Sequence, residues 1–288
     1  MNKEELSKTL SISCVENYFL VWIAKFMDKR ALYFSSFVPA GEIINDFING
    51  GADYSDYNKI KRIQDIAEEA GITSHKMYNE LLIEKEFENL VLIRINKTFF
   101  KNSKLIPWRP DHYICITARE GSGFKYINNY PLRIGEMNLE NLQNCFDKSV
   151  LVYSYKRFFS ECFRYQNEKT FITIINSAVN FSVPNVFDLK KMRDALGIIK
   201  ISRKRIFLWL KFMAMHNQFI FDREFSETAA KEINLIEKLY LRLELSVLRN
   251  NQDFKYFHSA LDGIMEIEKK IPTLIKMRRI ADEKIRYI

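Results

Sequence analysis

Apolar residues recur at helical spacing through most of the first ninety residues. Between residues 14 and 28 they lie three and four positions apart, which predicts an amphipathic helix. Ser13, directly before this run, is a typical N-cap residue. The same pattern predicts helices over residues 41–48, 60–70 and 76–88. We therefore expect this part of the chain to be helical.

The pattern then changes from helical spacing to the alternation of strands. Residues 90–95 and 112–117 are rich in β-branched and aromatic side chains, and residues 124–127 alternate as a returning strand would. The glycine-rich segment 120–123 separates the last two runs. These features predict an antiparallel hairpin over residues 112–127.

Beyond residue 150 the pattern is again mainly helical, most clearly over residues 226–249. The buried stripe predicted for that helix consists of Ile233, Ile236, Leu239, Leu243 and Leu248. Helices, a later sheet and further helices indicate an α+β fold, not alternating βαβ units. We predict a catalytic part over residues 1–150 and a mostly helical part over residues 151–288 that completes its pocket.

The composition is that of a globular protein with a basic balance. The 288 residues are 47% hydrophobic and 28% charged, and the net charge of +8 favours an acidic partner. Basic residues cluster at 203–205 and 269–286, where a solvated helix face is favoured over a nucleic-acid footprint. The first residues lack the layout of a signal peptide, and no apolar run is long enough to span a bilayer, so a cytoplasmic protein is expected.

The cysteines and histidines show no metal-site spacing. Four cysteines, none in a CxxC pair, are expected to be reduced and mostly buried. His75, His216 and His258 have no ligand partners three or four positions away, and no glycine-rich phosphate loop is present. We therefore predict neither a metal nor a bound cofactor.

Three residues can nevertheless form a nucleophilic site. Cys14 opens the first long helix, where unsatisfied backbone N–H groups favour a thiolate and can bind an oxyanion. His112, at the start of a strand, can act as the base, and Asn128, sixteen residues later, can orient the imidazole. This order of Cys, His and Asn predicts an acyl-transfer site.

The register of the hairpin decides which asparagine faces His112. A three-residue loop at 121–123 pairs Glu120 with Phe124 and puts Asn128 on the face of His112. A loop of two or four residues would favour Asn129 instead. We predict Asn128.

The stretches CVENYFLVWI and RPDHYICITAREGSGFKYINNYPL resemble the papain-like fold of bacterial biosynthetic acyltransferases. That family includes the butirosin acyltransferase and the cysteine-protease homologue that forms amides in closthioamide assembly; bacteriocin-leader peptidases share the layout. The resemblance covers about residues 5–150. It implies that Cys14 is the nucleophile, His112 the general base and Asn128 the orienting residue of a papain-like fold. It also implies that the acyl group arrives as a thioester on the phosphopantetheine arm of an acidic carrier protein and leaves on an amine.

The sequence departs from the peptidase pattern around the nucleophile. No glutamine precedes Cys14, so Ser11, Ser13 or backbone N–H groups alone would have to bind the oxyanion. This favours transfer from a reactive thioester, with amide formation in specialised-metabolite biosynthesis, over proteolysis. A hydrolase (thioesterase or leader peptidase) with the same triad is the first alternative. The second is a non-enzymatic basic module that binds nucleic acid or protein.

Overall fold

A computed structural model of the chain describes residues 3–54, 57–81, 88–100, 112–158, 167, 169–174, 185–216, 219–220, 223–249 and 254–277. The fold is α+β, with a six-stranded antiparallel sheet and a helical C-terminal part. Two compact units are present. Unit 1 comprises residues 1–29 and 61–164, and unit 2 comprises residues 30–60 and 165–288.

Unit 1 is built around the six-stranded sheet. Its helices are α1 (Lys3–Lys8), α2 (Cys14–Ile23), α4 (Ile63–Glu69), α5 (Leu139–Cys145) and a 3₁₀ helix, Lys97–Phe100. Its strands are β1 (Thr73–Tyr78), β2 (Leu90–Ile95), β3 (Tyr113–Glu120), β4 (Gly123–Asn129), β5 (Leu132–Asn138) and β6 (Phe146–Tyr155). The strand order is β1-β6-β2-β3-β4-β5, and every pair is antiparallel.

Both faces of the central strand β2 are covered. Val91, Ile93 and Ile95 join a buried apolar cluster with residues of β3, β4 and α5. Leu90 and Leu92 alternate to the opposite face, where α2 packs on the sheet. Two covered faces explain why residues 90–93 form an unbroken apolar run.

Unit 2 is helical. Its elements are a 3₁₀ helix over Lys29–Ser36 (all but Lys29 within the unit), α3 (Ala40–Ile48), α6 (Leu189–Met215), α7 (Arg223–Arg249), α8 (Phe254–Lys270), a 3₁₀ helix over Ile271–Leu274, and the short antiparallel pair β7 (Phe219–Ile220) and β8 (Lys276–Met277). The long helix α6 packs against α3 and α7, and α8 packs against α7. The fully buried Trp209 of α6 donates a hydrogen bond from Nε1 to Asn167 Oδ1 over 3.0 Å.

Several predicted elements are confirmed within unit 1. The helix predicted over residues 14–28 is present as α2, which ends at Ile23, and the strands predicted at 90–95 and 124–127 lie within β2 and β4. The strand predicted at 112–117 is present in β3, which begins one residue later, so His112 directly precedes the strand. The prediction of helix over residues 76–88 is wrong where it overlaps β1, because residues 73–78 pair with β6; residues 82–87 lie outside the described part of the chain.

The buried stripe of α7 differs from the predicted one. Ile236, Leu239 and Leu243 are buried as predicted, whereas Ile233 is half-buried and Leu248 is 81% exposed. The observed stripe alternates steps of four and three residues and includes two polar members; it consists of Phe225, Ala229, Glu232, Ile236, Leu239, Leu243 and Ser246. A prediction from apolar residues alone therefore missed its polar members.

The prediction of a solvated face at residues 203–205 is wrong. Arg203 and Arg205 are 1% and 0% exposed, because α6 is covered by its neighbours within unit 2. Only Lys204 of the three stays near the surface, in an ion pair with Glu237. The basic residues 278–286 lie outside the described part of the chain. None of the helices in the described ranges combines the length and apolar character needed to cross a membrane.

Candidate active site

The first turn of α2 presents Cys14. Ser13 is the N-cap, as predicted, and its Oγ accepts a hydrogen bond from the Glu16 backbone N–H over 3.2 Å. Cys14 is the first helical residue and is partly exposed. The sequence therefore places a thiol at the positive end of a ten-residue helix, where an anion is stabilised.

Two buried polar side chains fix the segment that leads into α2. The Glu16 carboxylate accepts hydrogen bonds from the backbone N–H groups of Ile12 (2.6 Å) and Ile63 (2.9 Å). Asn17 Nδ2 donates to the Leu6 carbonyl over 3.1 Å and to Ser11 Oγ over 3.0 Å. Glu16 and Asn17 had no predicted role. The sequence feature that could have indicated a role is the presence of a carboxylate and an amide within an otherwise apolar helical run.

His112 and Asn128 form a buried hydrogen-bonded pair. The distance from His112 Nε2 to Asn128 Oδ1 is 2.6 Å, and the two residues are 8% and 1% exposed. The Asn128 amide is oriented by its own Nδ2, which donates to the carbonyls of Tyr130 (3.2 Å) and Pro131 (3.1 Å). Because Oδ1 can only accept, His112 Nε2 is the donor, and the lone pair of the neutral imidazole lies on Nδ1. The amide thus selects the tautomer in which Nδ1 is the basic nitrogen.

A β-bulge produces this pairing. The hairpin loop has two residues, since Glu120 pairs with Gly123, so the predicted three-residue loop is wrong. A two-residue loop alone would put Asn129 on the face of His112. However, the register shifts between Ile116 and Ala118, which inserts Thr117 as an extra residue in β3. The shift reverses the alternation of β3 and returns Asn128 to the face of His112.

The ring of Phe100 covers the imidazole. Its centroid lies 5.2 Å from that of His112, with the rings at 68° to each other. Phe100 belongs to the apolar cluster of unit 1 that also contains Ile114 and Tyr126. Apolar surroundings strengthen the hydrogen bond to Asn128, because they exclude competing water.

The N-terminal turn of α2 points toward the end of the sheet at which His112 lies. Tyr18 Oη accepts from the Asn129 N–H at the end of β4 (2.8 Å), whereas Trp22 Nε1 donates to the Glu88 carbonyl beside the start of β2, at the other end (3.1 Å). The helix therefore runs toward the His112 end as it is followed back to Cys14, which lies about 6 Å beyond Tyr18 along the axis.

Helix α2, which carries Cys14, packs on one face of the sheet, and the His112–Asn128 pair lies on the other face. His112 and Asn128 lie on the same face of the sheet as Ile114 and Tyr126. These two residues belong to the apolar cluster on the face away from α2. A thiol on α2 would thus meet the imidazole around the end of the sheet and not across one face. The structure brings His112 and Asn128 together and places Cys14 toward the same end.

The other described thiols lie in apolar surroundings. Cys115 and Cys145 are 3% and 4% exposed, and burial raises the pKa of the Cys115 thiol to about 12 and that of Cys145 to about 11. A thiol with so high a pKa is a poor nucleophile near neutral pH. Cys14 is therefore the described cysteine best suited to chemistry.

No family model matches this chain, and no curated protein is similar enough to match it. In the described ranges, no group of three or more His, Cys, Asp and Glu side chains is arranged to hold a metal ion.

Proposed function

We propose that this protein is a papain-like cysteine-dependent acyltransferase, which forms an amide from a carrier-bound thioester and an amine. The observation that carries the proposal is the 2.6 Å hydrogen bond from His112 Nε2 to Asn128 Oδ1. It leaves the imidazole lone pair on Nδ1, as a base for a thiol requires. The position of Cys14 at the N-terminus of α2, toward the same end of the sheet, supports the choice of nucleophile.

The proposed reaction has two acyl transfers. Cys14 Sγ attacks the thioester carbonyl as His112 Nδ1 takes the thiol proton, and a tetrahedral oxyanion forms. The C–S bond to the carrier breaks, and the imidazolium returns the proton to the departing carrier thiolate. An amine then attacks the acyl-cysteine, and His112 takes the amine proton. The C–S bond to Cys14 breaks, which releases the amide, and the imidazolium returns its proton to the Cys14 thiolate.

Backbone N–H groups in the first turn of α2 are the proposed oxyanion donors. No donor role is assigned to the two serines near the nucleophile: Ser13 Oγ accepts from the Glu16 backbone N–H, and Ser11 Oγ accepts from Asn17 Nδ2. Backbone groups alone stabilise an oxyanion less than a full set of donors does. A thioester tolerates this better than an amide, so the site is better suited to acyl transfer than to proteolysis.

The proposed partner is an acidic acyl or peptidyl carrier protein that presents the acyl group on its phosphopantetheine arm. The net charge of +8 supports this choice, because opposite net charges speed association and favour the correct encounter. The catalytic steps use side chains and backbone of this chain, and the proposal includes no cofactor of its own.

The first test measures iodoacetamide labelling of each cysteine between pH 5 and pH 10, read by peptide mass. In the proposed site, Cys14 reacts rapidly at pH 6–7, and His112→Ala moves its profile to that of an ordinary thiol near pH 8.5. Incubation with short-chain acyl pantetheine thioesters should then give an acyl adduct on Cys14 that an added amine removes.

Cys145→Ala is the matched control, because it removes a buried thiol from the same unit. Cys14→Ala should abolish the acyl adduct and Cys145→Ala should leave it, with both proteins folded. An adduct that persists in Cys14→Ala contradicts the proposal. Release of free acid in place of an amide would identify a hydrolase. An unreactive Cys14 combined with salt-sensitive nucleic-acid binding would favour the binding module.

A further inference from the structure

Tyr18 connects the helix that carries Cys14 with the two strands that carry the base and its partner. It lies four residues after Cys14, on the same face of α2, and its side chain is fully buried. Its hydroxyl donates to the Ile127 carbonyl over 2.9 Å and accepts from the Asn129 N–H over 2.8 Å. These two backbone groups flank Asn128 on either side.

The same hydroxyl also lies at the start of β3. Tyr18 Oη is 3.4 Å from the carbonyl oxygen of Tyr113, the residue that follows His112. The paired residues of β3 and β4 end at Cys115 and Ile127, so this hydroxyl lies between the two strands where their pairing stops. It occupies the position that the next pair of backbone hydrogen bonds between β3 and β4 would fill.

We propose that Tyr18 is a positioning residue of the site, which sets the separation of β3 and β4 and holds the His112–Asn128 pair in register with the first turn of α2. This inference rests on the proposed function. In a regular ladder Tyr113 and Asn129 would hydrogen-bond each other directly. The Tyr18 hydroxyl replaces that connection with one that also fixes the helix.

Tyr18 does not titrate in the range of the test. Burial raises the pKa of its phenol well above the usual value, and the nearby thiols of Cys115 and Cys14 raise it further. The hydroxyl therefore stays protonated between pH 5 and pH 10. Any change in the pH profile of Cys14 in a Tyr18 variant reports on the geometry of the thiol and imidazole and not on loss of a phenol charge.

The test compares the pH profile of Cys14 alkylation in wild type, Tyr18→Phe and Tyr57→Phe. Tyr57 is a matched control, since it is a buried tyrosine of unit 2 whose hydroxyl bonds Asp46 over 3.1 Å. We expect Tyr18→Phe to lower the Cys14 rate about tenfold at pH 6.5 and to move the profile toward an ordinary thiol pKa near 8.5. Tyr57→Phe should keep the wild-type profile within twofold.

The outcomes separate this inference from the proposed function. If wild-type Cys14 is reactive and depends on His112, but Tyr18→Phe keeps the wild-type profile, the positioning role is overturned and the proposed function stands. If wild-type Cys14 is unreactive, the proposed function fails, and the His112 Nε2–H resonance in NMR spectra decides the inference. Its loss in Tyr18→Phe supports a positioning role, and an unchanged resonance overturns it.

If Tyr18→Phe does not fold, a measurement on the wild-type protein still tests the inference. The Asn129 amide donates to the Tyr18 hydroxyl, so its hydrogen exchange should be slowed at least a hundredfold relative to an unstructured peptide. Exchange of Asn129 at the unstructured rate in the folded wild-type protein would overturn the inference without any substitution.

Discussion

Replacing Glu232 with glutamine should remove most of the fall in the stability of unit 2 between pH 5 and pH 8. Glu232 is fully buried on α7, with its Oε1 3.4 Å from Nε of the equally buried Arg203. The same guanidinium is hydrogen-bonded to Glu268, so two carboxyl groups share one cation. Burial and the nearby Glu268 charge raise the pKa of Glu232 to about 8, from an ordinary value of 4.5.

The sign of the effect follows from the direction of this shift. Between pH 4.5 and pH 8 the unfolded chain loses the Glu232 proton while the folded protein keeps it. The folded state therefore binds more protons, and stability falls as the pH rises. At 1.36 kcal/mol per pKa unit, the loss from this group is on the order of a few kcal/mol by pH 8. Glutamine has nearly the same shape and no proton to lose, so the variant should lack this loss.

Fluorescence of Trp209 would report the unfolding of unit 2. The chain has three tryptophans, so a background with Trp22→Phe and Trp108→Phe leaves Trp209 as the probe. Urea unfolding at pH 5, 6, 7 and 8 gives the free energy of unfolding, and the difference between Glu232→Gln and the background isolates the contribution of this group. We expect the difference to rise steadily in favour of the variant as the pH increases.

Glu237→Gln is the matched control, because Glu237 lies on the same helix but forms a surface ion pair with Lys204. A surface pair contributes about 0–1 kcal/mol, so this change should leave the pH slope unaltered. Parallel pH curves for Glu232→Gln and the background would refute the argument, since they would show that Glu232 loses its proton at the same pH in both states.

Two further predictions concern unit 1. Cys115 and Cys145 should remain unlabelled by iodoacetamide below pH 9 while Cys14 reacts, because burial raises the pKa of both thiols; labelling of either at the rate of Cys14 would contradict this. Glu16→Ala should lower the free energy of unfolding by about 2–4 kcal/mol in urea titrations, because it leaves the N–H groups of Ile12 and Ile63 without their acceptor; a loss below 1 kcal/mol would contradict it.

Local features of the site could be read from the sequence because they depend on neighbouring residues. The Ser13 cap and the start of α2 at Cys14 require only a hydroxyl followed by apolar residues at helical spacing. Strand β2 follows from a short, mostly apolar run in which every second residue is Val or Ile. Each signal lies within one turn of helix or one strand, so it does not depend on the rest of the fold.

The partner of His112 required information from outside the local sequence. Asn128 was predicted from a three-residue loop, whereas the hairpin has a two-residue loop and a bulge at Thr117. The two differences cancel, since each shifts the register by one residue. The bulge forms where the Thr117 hydroxyl bonds the Lys125 carbonyl over 3.3 Å, a contact that depends on the neighbouring strand.

The sequence by itself determined the α+β class, helix α2, strands β2 to β4, and the position of Cys14 at a helix N-terminus, because these follow from periodicity and capping over a few residues. Tertiary structure decided that residues 73–78 are a strand, since their partner β6 lies more than seventy residues away in the chain. It also decided that Arg203 is buried beside Glu232, because burial depends on which helices surround a residue. Likewise, the contact of Tyr18 with β3 and β4 joins residues about a hundred positions apart, which no local pattern encodes.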